Sequence, residues 1–135
     1  MRYEVRAAAF LGVLLPMMET IRRGYGHWLV DFTTMFEDFL AGALLLISGW
    51  LAERGRPYAK YCLLAAFGYT TGMMNSSFMG QIEATLRGNL EAHNTATLFF
   101  KALMWGLAVS GLVMSFRNAL ASSVRVARSD PPPSR

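Results

Sequence analysis

Four apolar stretches, separated by short polar segments, dominate the sequence. They cover about residues 5–21, 32–52, 61–82 and 94–116, and each is close to the ~20 residues that a helix needs to cross a bilayer. The third runs without a charged side chain, whereas the second contains Glu37 and Asp38 and the fourth contains Lys101. The rest of so short a chain could not cover these stretches from water. The pattern therefore predicts an all-α fold, a four-helix bundle integral to a membrane.

The first stretch is the weakest of the four, because only residues 7–18 are free of charge. It follows Arg2 and Arg6 and has the length of a signal-peptide core. No small-residue cleavage site follows, however, and Glu19 comes next. We therefore expect a retained helix, kinked at Pro16, and cleavage of the segment 5–21 is the alternative.

The composition agrees with a membrane protein. The chain has 135 residues, of which 53% are hydrophobic and 16% are charged, against about 25% charged residues in an ordinary soluble domain. These values argue against a soluble globular enzyme and against a disordered chain. The single cysteine, Cys62, excludes an intramolecular disulfide and a cysteine-rich metal cluster.

The basic residues predict the orientation of the four helices. Nine Lys or Arg residues fall on the side shared by the two termini and the second loop: Arg2, Arg6, Arg54, Arg56, Lys60, Arg117, Arg125, Arg128 and Arg135. Three fall in the first and third loops: Arg22, Arg23 and Arg87. Loops rich in Lys and Arg stay in the cytoplasm. Both termini are therefore predicted to be cytoplasmic, in the inner (plasma) membrane of a bacterium, and the pI near 9.6 requires no nucleic-acid partner.

The chain divides into one predicted domain and a tail. Residues 1–119 form the single four-helix transmembrane domain. Residues 120–135 are polar and contain three consecutive prolines, at positions 131–133, so they are predicted to be a disordered cytoplasmic tail.

Small residues predict which helix faces pack. In the third stretch they recur every four residues, a spacing that lets helices approach closely in lipid: Gly68, Gly72, Ser76 and Gly80. Similar positions occur in the other stretches: Ala8, Gly12, Ala41, Gly42, Ser48, Gly49, Ala108, Gly111 and Ser115.

Polar residues lie at the outer end of these faces and are the candidates for a ligand or ion site: Glu19, Glu37, Asp38, Asn75, Glu83, Asn94 and Lys101. Lys101 is the deepest charge, and a charge within a membrane helix calls for a partner. Glu37 or Asp38 is the first choice. Alternatively, Lys101 extends to the outer surface, a Lys–carboxylate pair only fixes the helix arrangement, or Glu83 pairs with Arg87 in a third helix that continues beyond the membrane.

A copper site is a further hypothesis. His27 and His93 fall in the outer loops, with Met35 and Met79 in the outer half of the predicted membrane helices, and thioether and imidazole groups are ligands of Cu(I). The alternative is that the methionines fill gaps between helices. No other metal spacing and no catalytic constellation occurs, so the sequence predicts no enzyme and no cofactor.

Two functions remain open. The first is an accessory, assembly or oligomerising protein whose partners are the bilayer and either a second copy or another membrane protein. The second is the binding or transport of a small molecule or ion at a cluster built on Lys101 and the carboxylates. The first is favoured, because the chain is too short for most transporters.

Overall fold

Four helices make up the described part of the chain. A computed structural model describes residues 3–23, 32–88 and 95–129. The helices are α1 (Tyr3–Arg23), α2 (Phe32–Glu53), α3 (Ala59–Leu86) and α4 (Thr95–Ser129). The all-α prediction is confirmed, and the helices coincide in order and approximate position with the four apolar stretches.

Helices α1 and α2 pack antiparallel through glycines. A Cβ built on Gly42 would lie 2.7 Å from the carbonyl oxygen of Gly12. Further along the same pair, a Cβ on Gly49 would lie 3.7 Å from the Cβ of Ala8. The early part of α1 therefore lies beside the end of α2, and the two backbones approach closely at Gly12 and Gly42.

Helices α3 and α4 pack antiparallel through aromatic rings. The ring of Phe67 occupies the space in which a side chain on Gly111 would lie. Near the other end of the pair, the rings of Phe78 and Trp105 stack with their centroids 5.7 Å apart. The large rings of one helix thus fill the space left by small residues on its neighbour.

Contacts between α4 and α1 complete a ring of four helices. The side-chain amide of Asn118 donates a hydrogen bond to Glu4 (Nδ2–Oε1 2.8 Å), and the hydroxyls of Tyr3 and Ser110 are hydrogen-bonded at 2.7 Å. Helices that follow one another in the chain are neighbours, as in an up-and-down bundle. The start of α1 and the second half of α4 therefore lie at the same end of the bundle.

The core is built from small and aliphatic side chains. Fully buried residues come from each helix and include Ala8, Leu11, Ala41, Leu45, Phe67 and Ala108. Alanine at three of these positions keeps the helices close together, because it places little volume between the backbones.

The small-residue series on α3 does not take part in such close packing. A Cβ on Gly72 or Gly80 would have no atom within 4 Å, and one on Gly68 would reach only Leu112, at 4.0 Å. Within the described chain, these positions therefore bring no second helix against α3. Phe67 makes the close contact with α4 instead.

Helices α3 and α4 both continue beyond their predicted ends. Helix α3 ends at Leu86 rather than near residue 82, and α4 ends at Ser129 rather than near residue 116. Residues 120–129, which were assigned to a disordered tail, are helical. This stretch contains no glycine or proline and includes the helix-favouring residues Leu120 and Ala121. Residues 130–135 lie outside the described part of the chain.

Among the described residues, two helices are long and apolar enough to span a membrane. These stretches are Met35–Glu53 in α2 and Ala96–Val124 in α4, with mean hydropathies of 1.5 and 1.6. Helix α3 is less apolar, although it contains the longest uncharged stretch of the sequence, residues 61–82. Its threonines, serines and glycines lower its mean hydropathy although none of them is charged.

Candidate functional site

A cavity of about 1160 Å³ lies where all four helices contribute residues. It is formed by the second half of α1, the start of α2, the middle and second half of α3 and the start of α4. We call it the four-helix cavity. Its lining consists of Leu15, Met18, Glu19, Ile21, Glu37, Asp38, Gly68, Tyr69, Gly72, Met73, Met74, Ser76, Ser77, Ala96, Thr97, Phe100, Lys101 and Met104.

Four of the seven predicted site residues line this cavity. Glu19 comes from α1, Glu37 and Asp38 from α2, and Lys101 from α4. They come together because neighbouring helices are antiparallel, which places the end of α1 and the starts of α2 and α4 at one end of the bundle. Glu19, Asp38 and Lys101 are half-buried, whereas Glu37 is exposed. The cavity thus combines three carboxylates with one ammonium group.

Lys101 has an amide partner that its sequence position did not indicate. Its Nζ lies 3.4 Å from Oε1 of Gln81 on α3, a long hydrogen bond between half-buried side chains. Gln81 directly follows the last small residue of the α3 series. Gln81 carries no charge, and only acidic residues were considered as partners of Lys101 from the sequence.

The remaining predicted residues lie elsewhere. Asn75 and Glu83 are exposed and do not line the cavity. Glu83 accepts a hydrogen bond from Arg87 in an exposed i,i+4 ion pair. This pairing is the alternative that the sequence analysis gave for Glu83. Asn94 lies outside the described residues.

The copper candidates are only partly described. Met35 is fully buried on α2, whereas Met79 is about half exposed on α3, and neither lines the cavity. His27 and His93 lie outside the described residues. Within the described ranges, no three His, Cys, Asp or Glu side chains form a group that could hold a metal ion.

The apolar part of the lining was not predicted as part of a site. It includes Leu15, Ile21, Phe100 and four methionines: Met18, Met73, Met74 and Met104. Methionine is flexible and adapts to ligands of varied shape. Gly68, Gly72 and Ser76 also line the cavity, so these small residues leave space there instead of receiving a neighbouring helix.

The lining combines features that are typical of a ligand-binding pocket. The described residues that line the cavity include no histidine or cysteine, so Ser76 and Ser77 have no imidazole beside them in this set. Ligand sites are typically apolar pockets of about 300–1,000 Å³ with a few polar groups that orient the ligand. A molecule with an apolar body and a polar head group matches this combination.

A second polar contact lies at the opposite end of the bundle. The Glu4 side chain is buried, with 4% of the residue exposed, and it accepts the hydrogen bond from Asn118. The polar residues that the sequence analysis singled out on packing faces belong to the other end of the bundle, so this pair was not predicted. Glu4 precedes the uncharged core of α1 and lies between Arg2 and Arg6 in the sequence.

The fold and the site define an all-α, four-helix protein with an amphipathic cavity toward one end of its bundle. Comparisons of the chain with models of known protein families, with characterised proteins and with solved structures give no match.

Proposed function

We propose that the protein is an integral membrane protein that binds an amphipathic small molecule in the four-helix cavity. The observation that carries the proposal is the lining itself, in which charged groups from three helices meet an apolar surface of methionine, leucine and phenylalanine. The proposal has two parts, the membrane and the ligand, and each has its own support.

The membrane part is supported by apolar side chains that point away from the bundle. Large hydrophobic residues are exposed on every helix, for example Phe10 and Val13 on α1, Ile47 on α2, Met79 on α3, and Phe99, Leu103 and Phe116 on α4. A soluble monomer rarely exposes such an extended apolar surface. In a bilayer the same side chains face lipid. Each helix has at least 21 residues, which is long enough to span the hydrocarbon core.

The ligand part is supported by the size and the polarity of the cavity. Its volume of about 1160 Å³ exceeds what a bare ion needs, and the described carboxylates form no metal-binding group. The apolar residues would hold the body of the ligand. The polar head would lie between the carboxylates of Glu37 and Asp38 and the ammonium group of Lys101.

The test fills the cavity from a position where a new side chain fits. A Cβ on Gly72 has no atom within 4 Å, and Gly72 lines the cavity. Gly72→Phe therefore places a ring in the cavity without pushing helices apart. Gly80→Phe is the matched control, because Gly80 has the same open surroundings on the same helix and lies outside the lining.

The measurement is native mass spectrometry of the full chain, purified in mild detergent from its own membrane. We expect a stoichiometric small mass on the wild-type protein and on Gly80→Phe, and its loss from Gly72→Phe. If the wild-type protein carries no such mass, or if Gly72→Phe keeps it at full occupancy, the ligand part of the proposal is wrong.

A second candidate function is an accessory or oligomerising protein. Gly80 on α3 and Gly106 on α4 are exposed, and a Cβ on either would have no atom within 4 Å. A helix of a second chain could approach closely at such positions. The same spectra distinguish the two functions. A second protein chain that is lost from Gly80→Phe but kept by Gly72→Phe would favour the interaction protein.

A further inference from the structure

The connection between α2 and α3 carries a concentrated positive charge. Arg54, Arg56 and Lys60 lie within seven consecutive positions, with Glu53 the nearest acidic residue in the chain. In the part of the chain that the structure describes, none of the three cations forms an ion pair. Their charges are therefore available to an anion from outside the protein.

Two of these cations lie against aromatic rings. The guanidinium carbon of Arg54 lies 4.0 Å from the ring centroid of Trp50, and Nζ of Lys60 lies 4.9 Å from that of Tyr61. Such cation–π contacts restrict where a long basic side chain points. The rings of Trp50 and Tyr61 thus hold the two charges on either side of the turn.

The turn itself is ordered by backbone hydrogen bonds. The N–H of Arg56 donates to the carbonyl of Leu51 (3.2 Å), and the N–H of Gly55 donates to that of Ala52 (3.1 Å). Gly55 has φ of 67°, so this is the Schellman arrangement that ends a helix. Helix α3 begins four residues later, at Ala59. An anion that binds here finds the basic groups already in place and costs little ordering entropy.

The aromatic residues at the turn also indicate the kind of anion. Trp50, Tyr58 and Tyr61 are 50%, 51% and 52% exposed. Trp50 follows Ile47 by three residues on α2, so these two exposed apolar side chains lie on the same face of that helix. Tryptophan and tyrosine are enriched at the level of lipid head groups, where one side of the ring meets hydrocarbon and the other meets water. Free phosphate has no apolar part that could contact this flanking surface, whereas a lipid has acyl chains.

We propose that the α2–α3 turn binds the phosphate head group of anionic lipids, through Arg54, Arg56 and Lys60, with Trp50 and Tyr61 inserted beside the acyl chains. This site lies outside the cavity and does not depend on the cavity's ligand, although it rests on the membrane part of the proposed function. It assigns a lipid preference to one end of the bundle, the end that also contains the start of α1.

The experiment compares an anionic lipid with a zwitterionic lipid of no net charge on the full chain. The protein, purified in mild detergent, is titrated with phosphatidylglycerol, with phosphatidylcholine and with inorganic phosphate, and native mass spectra count the bound molecules. We expect phosphatidylglycerol to bind in preference to phosphatidylcholine, and inorganic phosphate not to compete. Equal binding of the two lipids would overturn the proposal, and competition by phosphate would assign the site to a free anion.

Two charge-matched variants locate the site. Arg54→Gln/Arg56→Gln/Lys60→Gln removes three positive charges from the turn. Arg6→Gln/Arg87→Gln/Arg117→Gln removes three exposed charges elsewhere. We expect the affinity for phosphatidylglycerol to fall by roughly one to two orders of magnitude in the first variant, and to change by less than about threefold in the second.

The helicity of both variants, measured by circular dichroism, serves as the folding control. Equal losses in the two variants would show that net charge alone attracts the lipid, and the turn would not be a site. The outcome is independent of the small mass expected in the cavity, so this proposal and the ligand part of the proposed function can fail separately. The membrane part, on which both rest, has its own test in the membrane fractionation described below.

Discussion

Single glycines determine how closely α1 and α2 approach each other. A methyl group on Gly42 would lie 2.7 Å from the backbone oxygen of Gly12, and a backbone atom cannot move aside without shifting its helix. Gly49 lies on the same helix, but its added Cβ would make an ordinary contact of 3.7 Å with Ala8. Both glycines lie on the packed face, but only Gly42 lies where a larger residue would collide with the neighbouring backbone.

This difference predicts opposite effects of the same substitution. Gly42→Ala should destabilise the protein by about 1–3 kcal/mol, because the added methyl group forces α1 and α2 apart. Gly49→Ala should be neutral or stabilising by up to about 1 kcal/mol, because alanine favours the helix and meets no obstacle. Unfolding of both variants in mixed detergent micelles measures the effect, and equal destabilisation would contradict the assigned contact.

The spacing of small residues predicted that both glycines face a neighbouring helix, but it could not say which contact is close. The distance between backbones depends on how each helix is rotated and tilted in the bundle. The same limit explains α3, where a regular series of small residues suggested a packing face and Gly72 instead lines a cavity. Small residues permit a close approach, and the opposing helix decides whether it occurs.

At the scale of helices, the contact between α1 and α4 depends on a buried polar pair. Glu4 is the first acidic residue of α1, and Asn118 lies in the second half of α4, 114 positions away in the chain. A buried carboxylate that loses its hydrogen-bond donor is costly, whereas replacing both partners by apolar groups is often tolerated. The pair therefore couples the two helices that close the ring.

A double-mutant cycle tests this coupling. Asn118→Leu should destabilise the protein by about 1–3 kcal/mol, because it leaves Glu4 buried without its amide donor. Adding Glu4→Met should recover most of that loss, since no buried polar group then remains unpaired. The free energies of unfolding of the two single variants and the double variant are compared. Additive losses would mean that the two side chains do not interact.

The helices themselves were predictable, because apolar stretches of about 20 residues are compatible with few structures other than a helix. The end of α4 was harder to predict. Residues 120–129 are polar enough to suggest a tail, yet they contain no helix-breaking residue, and the helix continues to Ser129. Polarity indicates where a helix leaves an apolar environment and does not indicate where it ends.

At the scale of the whole molecule, the exposed apolar surface and the distribution of basic residues together predict how the chain lies in the membrane. A reporter fused after Arg135 should be active in the cytoplasm, because nine of the thirteen Lys and Arg residues lie on the side predicted to face it. The chain should also remain with the membrane fraction after washing at alkaline pH. An externally located reporter would mean an odd number of crossings and would contradict the predicted orientation.

The charged part of the candidate site was predictable and its apolar part was not. Residues at the ends of antiparallel helices meet whenever the helices pack in order, so Glu19, Glu37, Asp38 and Lys101 could be grouped from the sequence. The methionines and Phe100 join them around a space that Gly68, Gly72 and Ser76 leave open. Whether a neighbouring helix fills such a space depends on the packing of the entire bundle, and no local pattern in the sequence indicates it.

Helix α4 is longer than its neighbours, and this length has a mechanical consequence. Its 35 residues form a continuous rod of about 50 Å, with Lys101 near one end. Residues 119–129 extend about 16 Å past the Glu4–Asn118 hydrogen bond. Because the helix is continuous, a change in the tilt of α4 at the cavity would also displace these last residues. Binding of a ligand in the cavity at one end of the bundle would then be detectable as a displacement of α4 at the other end.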